Sequence, residues 1–195
     1  MGLVRPALHA IGVIGAGRLG RDIALATALG GYRTILEDLL PNALRRAEGE
    51  LRACLDSAVA QGSVTAATAD AAFSRLEFAG SVEDAARVAD LVIEAGPDEL
   101  ESKIEIFTLL DKICRPGTIL VSNLVSLSIT EIARVTYRAR HCVGMRFTDH
   151  VHARAPVEII RGLETDDETL AAAVEVGRRM GREVVVVEDM GSVSQ

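Results

Sequence analysis

The sequence predicts a doubly wound α/β fold, in which a largely parallel sheet carries helices on both faces. Two observations predict it. Short β-branched apolar runs alternate with amphipathic stretches, and a glycine-rich turn joins the first run to the first helical stretch. Runs that are apolar at nearly every position are typical of strands covered on both faces. The predicted strands are residues 9–14, 33–37, 90–95, 117–122, 141–147, 157–160 and 183–188.

The helices are placed by their end signals. Predicted helices cover residues 18–29, 41–61 (with Pro41 in the first turn), 98–114 and a last stretch before Gly181. At the start of the last helix, Thr165 and Glu168 have capping-box spacing, and Gly181 is placed to end it. The alanine-rich run 58–73 is interpreted as two short helices with a turn at Gly62, and a flexible linker is the alternative.

Composition indicates one globular domain over residues 1–195 and disfavours several classes of partner. Of the residues, 49% are hydrophobic and 25% charged, with a net charge of -7. This charge disfavours nucleic acid and anionic membranes as main partners, because their phosphates would be repelled. Cys54, Cys114 and Cys142 lack metal-site or disulfide-framework spacing. Reduced thiols of a cytoplasmic protein are therefore expected, and a small-molecule or protein partner is favoured. The sequence shows no recognisable signal peptide or membrane span.

A GxGxxG motif lies between the first strand and the first helix. Its six residues are Gly15, Ala16, Gly17, Arg18, Leu19 and Gly20. The first glycine permits a tight turn, the second lets the backbone approach a pyrophosphate, and the third lets the helix pack closely on the strand. The second strand ends at Glu37-Asp38, about twenty residues on, where an acid binds the adenosine ribose. The motif therefore predicts a Rossmann-type dinucleotide site, and an ordinary glycine turn with Asp38 as a helix cap is the alternative.

The acid at the end of the second strand favours NAD as the cofactor. A carboxylate at Asp38 repels the 2′-phosphate that distinguishes NADP from NAD. Arg33 lies at the opposite end of that strand and is not expected to reverse the preference, although Arg18 would add affinity for phosphate.

Together, several segments resemble the NAD-binding domain of the 3-hydroxyacyl-CoA dehydrogenase family, over residues 9 to about 190. They are GAGRLGRDIA, the acid-ended second strand, the helical pair 41–75, DLVIEAGPDELESK, ILVSNLVSLSITEIA, GMRF and VEIIRG. The resemblance implies an oxidoreductase of fatty acid metabolism that transfers hydride between NAD and a 3-hydroxyacyl-CoA or a related hydroxy compound. In that family a helical domain follows and closes the cleft, and it is expected to be absent here.

The resemblance also implies cofactor residues beyond the glycine motif. Asp98 stands where the family has a glutamate, and Lys103 matches a lysine near the nicotinamide-side ribose. Asp149 stands in place of an asparagine, and so does Glu99. Those changes add negative charge near the nicotinamide.

The catalytic positions match the family poorly. The family uses a histidine base oriented by a glutamate, assisted by a serine and a neighbouring asparagine. Glu158 and Asn123 match the glutamate and the asparagine, but Arg146 takes the histidine position and Val125 the serine position. Arginine stays protonated throughout the range in which enzymes work, and so cannot accept a proton.

The roles of Arg146 and of the two histidines that follow it remain open. Arg146 forms a structural ion pair with Glu158, or it anchors a carboxylate or phosphate of an anionic substrate. His150 or His152 supplies a displaced base, or both are solvated surface groups.

CoA contacts and partners are open as well. The helix 41–61 resembles the one that meets CoA, but the family's serine and lysine fall near Cys54 and Gln61. The arginines of this helix (Arg45, Arg46 and Arg52) contact phosphates or belong to a mixed-charge surface.

We expect a homodimer or a partner subunit, because the cleft surface would otherwise expose apolar residues. A non-catalytic NAD sensor or regulatory subunit is the alternative to an enzyme.

Overall fold

The computed structural model describes residues 7–147 and 156–189. Its strands are β1 (Ala10–Ile14), β2 (Arg33–Glu37), β3 (Leu76–Ala79), β4 (Leu91–Glu94), β5 (Ile119–Asn123), β6 (Cys142–Phe147), β7 (Val157–Arg161) and β8 (Val184–Glu188). Its helices are α1 (Arg18–Leu29), α2 (Pro41–Ala60), α3 (Ala66–Phe73), α4 (Val82–Ala86), α5 (Leu100–Ile113), α6 (Ile129–Ala133) and α7 (Asp167–Arg179), with a 3-10 turn at Ala139–His141.

The strands form one sheet in the order β3-β2-β1-β4-β5-β6-β7-β8. Neighbours are parallel except for β6 and β7, which are antiparallel. This confirms the doubly wound, largely parallel fold. From β1 the chain proceeds outward to β2 and β3, then returns to add β4 on the other side of β1. The carboxyl ends of β1 and β4 therefore flank the point where strand order reverses, which is where such sheets bind ligands.

Two hydrophobic clusters cover the two faces of the sheet. One is built with α1, α2 and α7, and the other with α4, α5 and α6. Every residue of β1, β4 and β5 is buried, which explains why these strands are apolar up to the polar residues that end β4 and β5. Phe107 and Leu110 of α5 are fully buried, each stabilising the fold by about 1.5–3 kcal/mol.

Local differences from the sequence prediction have physical causes. Strand β3 is absent from the prediction, because its four residues include Glu77, which interrupts the apolar run. The cap of α7 is Asp166, which accepts from the Thr169 N–H at 2.7 Å. The prediction that Thr165 caps this helix is wrong, since its hydroxyl accepts from Gly162 and donates to the Cys142 carbonyl.

Turn glycines behave as predicted. Gly62 and Gly181 have φ of 72° and 76°, values in the left-handed region that glycine favours. The alanine-rich run is helical on both sides of Gly62, although its first part is the last turn of the long helix α2. Among the described residues, no helix is both long and apolar enough to cross a membrane.

Candidate functional site

The glycine turn between β1 and α1 leaves an open cradle at the helix N-terminus. Gly15 has φ of 101°, and its N–H donates to the Glu37 carbonyl at 3.0 Å. A Cβ on Gly20 would lie 1.8 Å from the Gly15 carbonyl oxygen, so only glycine fits. A Cβ on Gly17 would meet nothing within 4 Å, and no side chain caps the helix there. The free N–H groups of the first turn and the space beside Gly17 fit a pyrophosphate.

Asp38 lies at the carboxyl end of β2, directly against this turn. Its Oδ2 accepts from the Ala16 N–H at 3.1 Å, and its Oδ1 accepts from the Leu40 N–H at 2.9 Å. Each carboxylate oxygen keeps further acceptor capacity for ribose hydroxyls. Arg33 lies at the other end of β2 and pairs with Glu77 at 2.7 Å. The carboxylate beside the glycine turn therefore fits NAD, and Arg33 is directed away from it.

Glu37, the residue before Asp38, is a buried acid for which the sequence provided no role. The residue is 2% exposed, and its Oε1 has no hydrogen-bond partner among the described residues. Burial and the neighbouring charge of Asp38 raise the pKa of Glu37 to about 7, against a smaller lowering by the Gly15 N–H. An acid beside an aspartate at the end of this strand was visible in the sequence, but its burial was not.

Asp98 ties the loop after β4 to the loop after β5. Its carboxylate accepts from the N–H groups of Val125 and Ser126 at 3.1 and 3.0 Å, and from the Ser126 hydroxyl at 2.9 Å. Burial raises the pKa of Asp98, but these hydrogen bonds and the charge of Lys103 lower it more, so the net pKa is below its ordinary value. Asp98 therefore shapes the edge of the sheet at which the resemblance places the nicotinamide.

A buried ion pair lies beneath the same loops. Lys103 is 0% exposed, and its Nζ donates to Glu94 Oε2 at 2.7 Å and to the Asn123 carbonyl at 2.8 Å. Glu94 also accepts from the Ser122 hydroxyl and the Gly96 N–H, both at 2.7 Å. Lys103 thus holds the carboxyl ends of β4 and β5 together. A direct contact of Lys103 with the cofactor stays a prediction.

Arg146 forms the ion pair with Glu158 that the sequence suggested. The two residues are directly opposite each other on antiparallel strands β6 and β7. Arg146 Nε donates to Glu158 Oε2 at 2.7 Å, and Nη1 donates to the Val125 carbonyl at 3.2 Å. The side chains are 36% and 24% exposed, so the pair is partly accessible to solvent. Arg146, Glu158 and the Val125 backbone are therefore in one cluster, and its described side chains include no histidine.

Three candidate residues, Asp149, His150 and His152, lie outside the described residues. The structure therefore leaves their sequence-based roles as predictions.

The arginines of α2 interact with neighbours on their own surface. Arg45 donates to Asn42, Arg46 lies 3.8 Å from Glu50, and Arg52 lies 3.4 Å from Asp56. This pattern favours the mixed-charge surface over a phosphate site.

The thiols of Cys54, Cys114 and Cys142 are free, and burial raises the pKa of the last two to about 11 and about 12. No cluster of metal-binding side chains is found among the described residues.

Comparisons with known proteins identify the family of this chain. The family model for the NAD-binding domain of 3-hydroxyacyl-CoA dehydrogenase matches residues 10–190. A 3-hydroxybutyryl-CoA dehydrogenase of Bradyrhizobium diazoefficiens is 36% identical over 179 residues, which is 92% of this chain and 61% of the relative. This chain thus spans about three fifths of that relative's length.

Solved structures show the same likeness. The 3-hydroxybutyryl-CoA dehydrogenase of Escherichia coli K12 superposes with a TM-score of 0.90 at 32% identity, covering 94% of this chain and 39% of that one. The (S)-3-hydroxybutyryl-CoA dehydrogenase of Ralstonia eutropha gives 0.89 at 32% identity, covering 94% and 64%. The chain therefore belongs to the 3-hydroxyacyl-CoA dehydrogenase family, and its Rossmann-type fold is that family's NAD-binding domain.

Proposed function

We propose that this chain is the NAD-binding part of a 3-hydroxyacyl-CoA dehydrogenase-like oxidoreductase whose hydride-transfer step is strongly impaired. The observation that carries the proposal is the Arg146–Glu158 ion pair at the family's base position. The glycine turn would hold the pyrophosphate and Asp38 the adenosine ribose. Asp98, Lys103 and Asp149 would surround or support the nicotinamide end.

The impairment follows from proton transfer. Bound NAD supplies a hydride acceptor, but oxidation of a hydroxyl group also requires a group that takes the hydroxyl proton. Arg146 remains protonated at neutral pH, and Glu158 already accepts the guanidinium N–H at 2.7 Å. Val125 offers no side-chain donor or acceptor to the reacting oxygen. A positioned acid-base group is typically worth about 10²–10⁴ in rate, so we expect a loss of that order.

A non-catalytic sensor or regulatory subunit is the second candidate. Two observations favour it. The glycine turn has a geometry suited to a dinucleotide, whereas Arg146, at the base position, is engaged in an ion pair and in a hydrogen bond to the Val125 carbonyl. We further propose a cytoplasmic location, which the free thiols support, and a homodimer or a partner subunit. An acyl-CoA or a related hydroxy compound is the proposed substrate class of the first candidate.

Calorimetric titration with NADH and NADPH, followed by an acetoacetyl-CoA reduction assay, tests the proposal. We expect NADH to bind more tightly than NADPH and the reduction to be very slow. The Arg146→His/Val125→Ser double variant should reduce acetoacetyl-CoA faster than either single variant, because the two residues act as one unit. Arg161→His, which changes an arginine on β7 paired with Asp167, is the matched control and should gain nothing.

Two results would contradict the proposal. Turnover of the unchanged protein on the order of 1–10³ per second would show that another group, such as His150, acts as the base. Equal or tighter binding of NADPH, or binding of neither dinucleotide, would exclude the assigned cofactor.

A further inference from the structure

We propose that Glu37 is a second residue that sets cofactor choice, acting beside Asp38 to disfavour a 2′-phosphate and to weaken dinucleotide binding as the solution becomes more alkaline. The inference rests on the proposed NAD binding and adds a residue and a regulating variable to the same site. Glu37 is a positioning and selectivity residue here, because no contact between its side chain and the cofactor is assumed.

The position of Glu37 carries the argument. It is the last residue of β2 and lies in register with Ile14, the last residue of β1, directly before the glycine turn. The Gly15 N–H that donates to its carbonyl also influences its carboxyl group. Glu37 therefore lies at the base of the glycine turn and immediately before Asp38 in the chain.

The second observation is the unsatisfied acceptor. Glu37 is 2% exposed, yet its Oε1 has no partner among the described residues. An ionised carboxylate so deeply buried is shielded from solvent and, within the part of the chain that the structure describes, has no cationic hydrogen-bond partner, which is costly. The protonated form avoids that cost, so the pKa of Glu37 is raised to about 7.

Neighbouring charges do not neutralise Glu37. Charged residues on elements that pack against β2 are Arg18, Arg21 and Asp22 of α1, Glu77 of β3, and Glu83 and Asp84 of α4. Strand β1 has none. Arg21 pairs with Glu50, and Glu83 pairs with Arg87. On its own strand, Arg33 pairs with Glu77, so the nearest strong influence is the negative charge of Asp38.

Dinucleotide binding brings further negative charge to this region. The pyrophosphate does so for both cofactors, and the 2′-phosphate of NADPH adds about 1.5–2 further negative charges. Each bound dinucleotide therefore raises the pKa of Glu37, and NADPH raises it more than NADH. By linkage, the ligand that raises this pKa more loses more affinity when the carboxyl ionises. A difference of one pKa unit corresponds to about a tenfold change in the NADH preference.

Calorimetric titration of the protein with NADH and NADPH between about pH 6 and about pH 8 tests the proposal, with Glu37→Gln alongside. The 2′-phosphate itself titrates near ~6, and the Gln variant supplies the baseline for that effect. We expect the NADH preference to increase by about threefold to tenfold more in the unchanged protein than in the variant. Glu83→Gln, which alters an exposed acid on α4, should behave like the unchanged protein.

Proton exchange provides a readout that a purely structural role would not change. Titrations in buffers of different ionisation enthalpy should show proton uptake on NADH binding near neutral pH, and Glu37→Gln should reduce it. Equal pH dependence of the unchanged protein and Glu37→Gln would overturn the role of Glu37 while leaving NAD binding intact. If Glu37→Gln does not fold, Glu37→Met replaces it, and absence of proton uptake in the unchanged protein overturns the proposal by itself. Failure of NADH to bind at any pH would instead overturn the proposed function.

Discussion

Glu37 and Glu158 show how position decides what the same side chain does. Glu158 lies beside a guanidinium at 2.7 Å and is 24% exposed on its side chain, so its charge is compensated. Glu37 is buried beside another carboxyl group, and its pKa is raised to about 7. A glutamate in the unfolded chain has no such environment and ionises near 4.5. The native state therefore binds more protons at Glu37 than the unfolded state does between these two pH values.

This difference predicts a pH-dependent effect of Glu37→Gln on stability. The contribution of the raised pKa is fully present below the unfolded value of 4.5 and is lost as pH rises through about 7. As the pH rises from about 5 to about 8, the free energy of unfolding of the variant should increase relative to that of the unchanged protein by on the order of 1–3 kcal/mol. Urea unfolding across that range measures it, and parallel stability profiles would contradict the raised pKa.

At the scale of elements, the Glu94–Lys103 pair joins strands β4 and β5 to helix α5. The pair is nearly inaccessible, with side chains 4% and 0% exposed. Its remaining hydrogen bonds go to Ser122, Gly96 and the Asn123 carbonyl, so both charges are well satisfied. Such a pair costs desolvation when it forms, but breaking one partner leaves an uncompensated buried charge.

Removing only the lysine should therefore be far worse than removing both charges. Lys103→Met should lower the free energy of unfolding by about 3–5 kcal/mol, and Glu94→Gln/Lys103→Met should recover part of that loss. Lys112→Met, on the exposed last turn of α5, is the matched control and should change stability by less than about 0.5 kcal/mol. Urea unfolding at neutral pH decides the matter. A cost for Lys103→Met no larger than for Lys112→Met would exclude the clamping role.

At the scale of the whole molecule, local patterns identified most of the sheet and the cofactor turn. Buried parallel strands are apolar along their whole length, and GxGxxG encodes its own backbone geometry, so both were recognisable. Strand β3 was not, because it has four residues and carries Glu77, which pairs with Arg33 of the neighbouring strand. The network around Lys103 joins three separate segments, and the burial of Glu37 depends on packing. Neither has a local sequence pattern.

Strand β8 forms the edge of the sheet opposite β3, and its exposed surface leads us to predict that the chain associates. Among the described strands, β8 has β7 as its single neighbour, and its Val185 and Val186 are 40% and 46% exposed. An exposed apolar edge strand offers unpaired backbone groups to another chain. We expect the 195-residue chain to be at least a dimer at micromolar concentration, measured by light scattering. Val186→Lys should shift it to the monomer, whereas Val88→Lys, at a site 42% exposed before β4, should not. A monomeric unchanged protein would contradict the expectation, and association unaffected by Val186→Lys would place the contact on another surface.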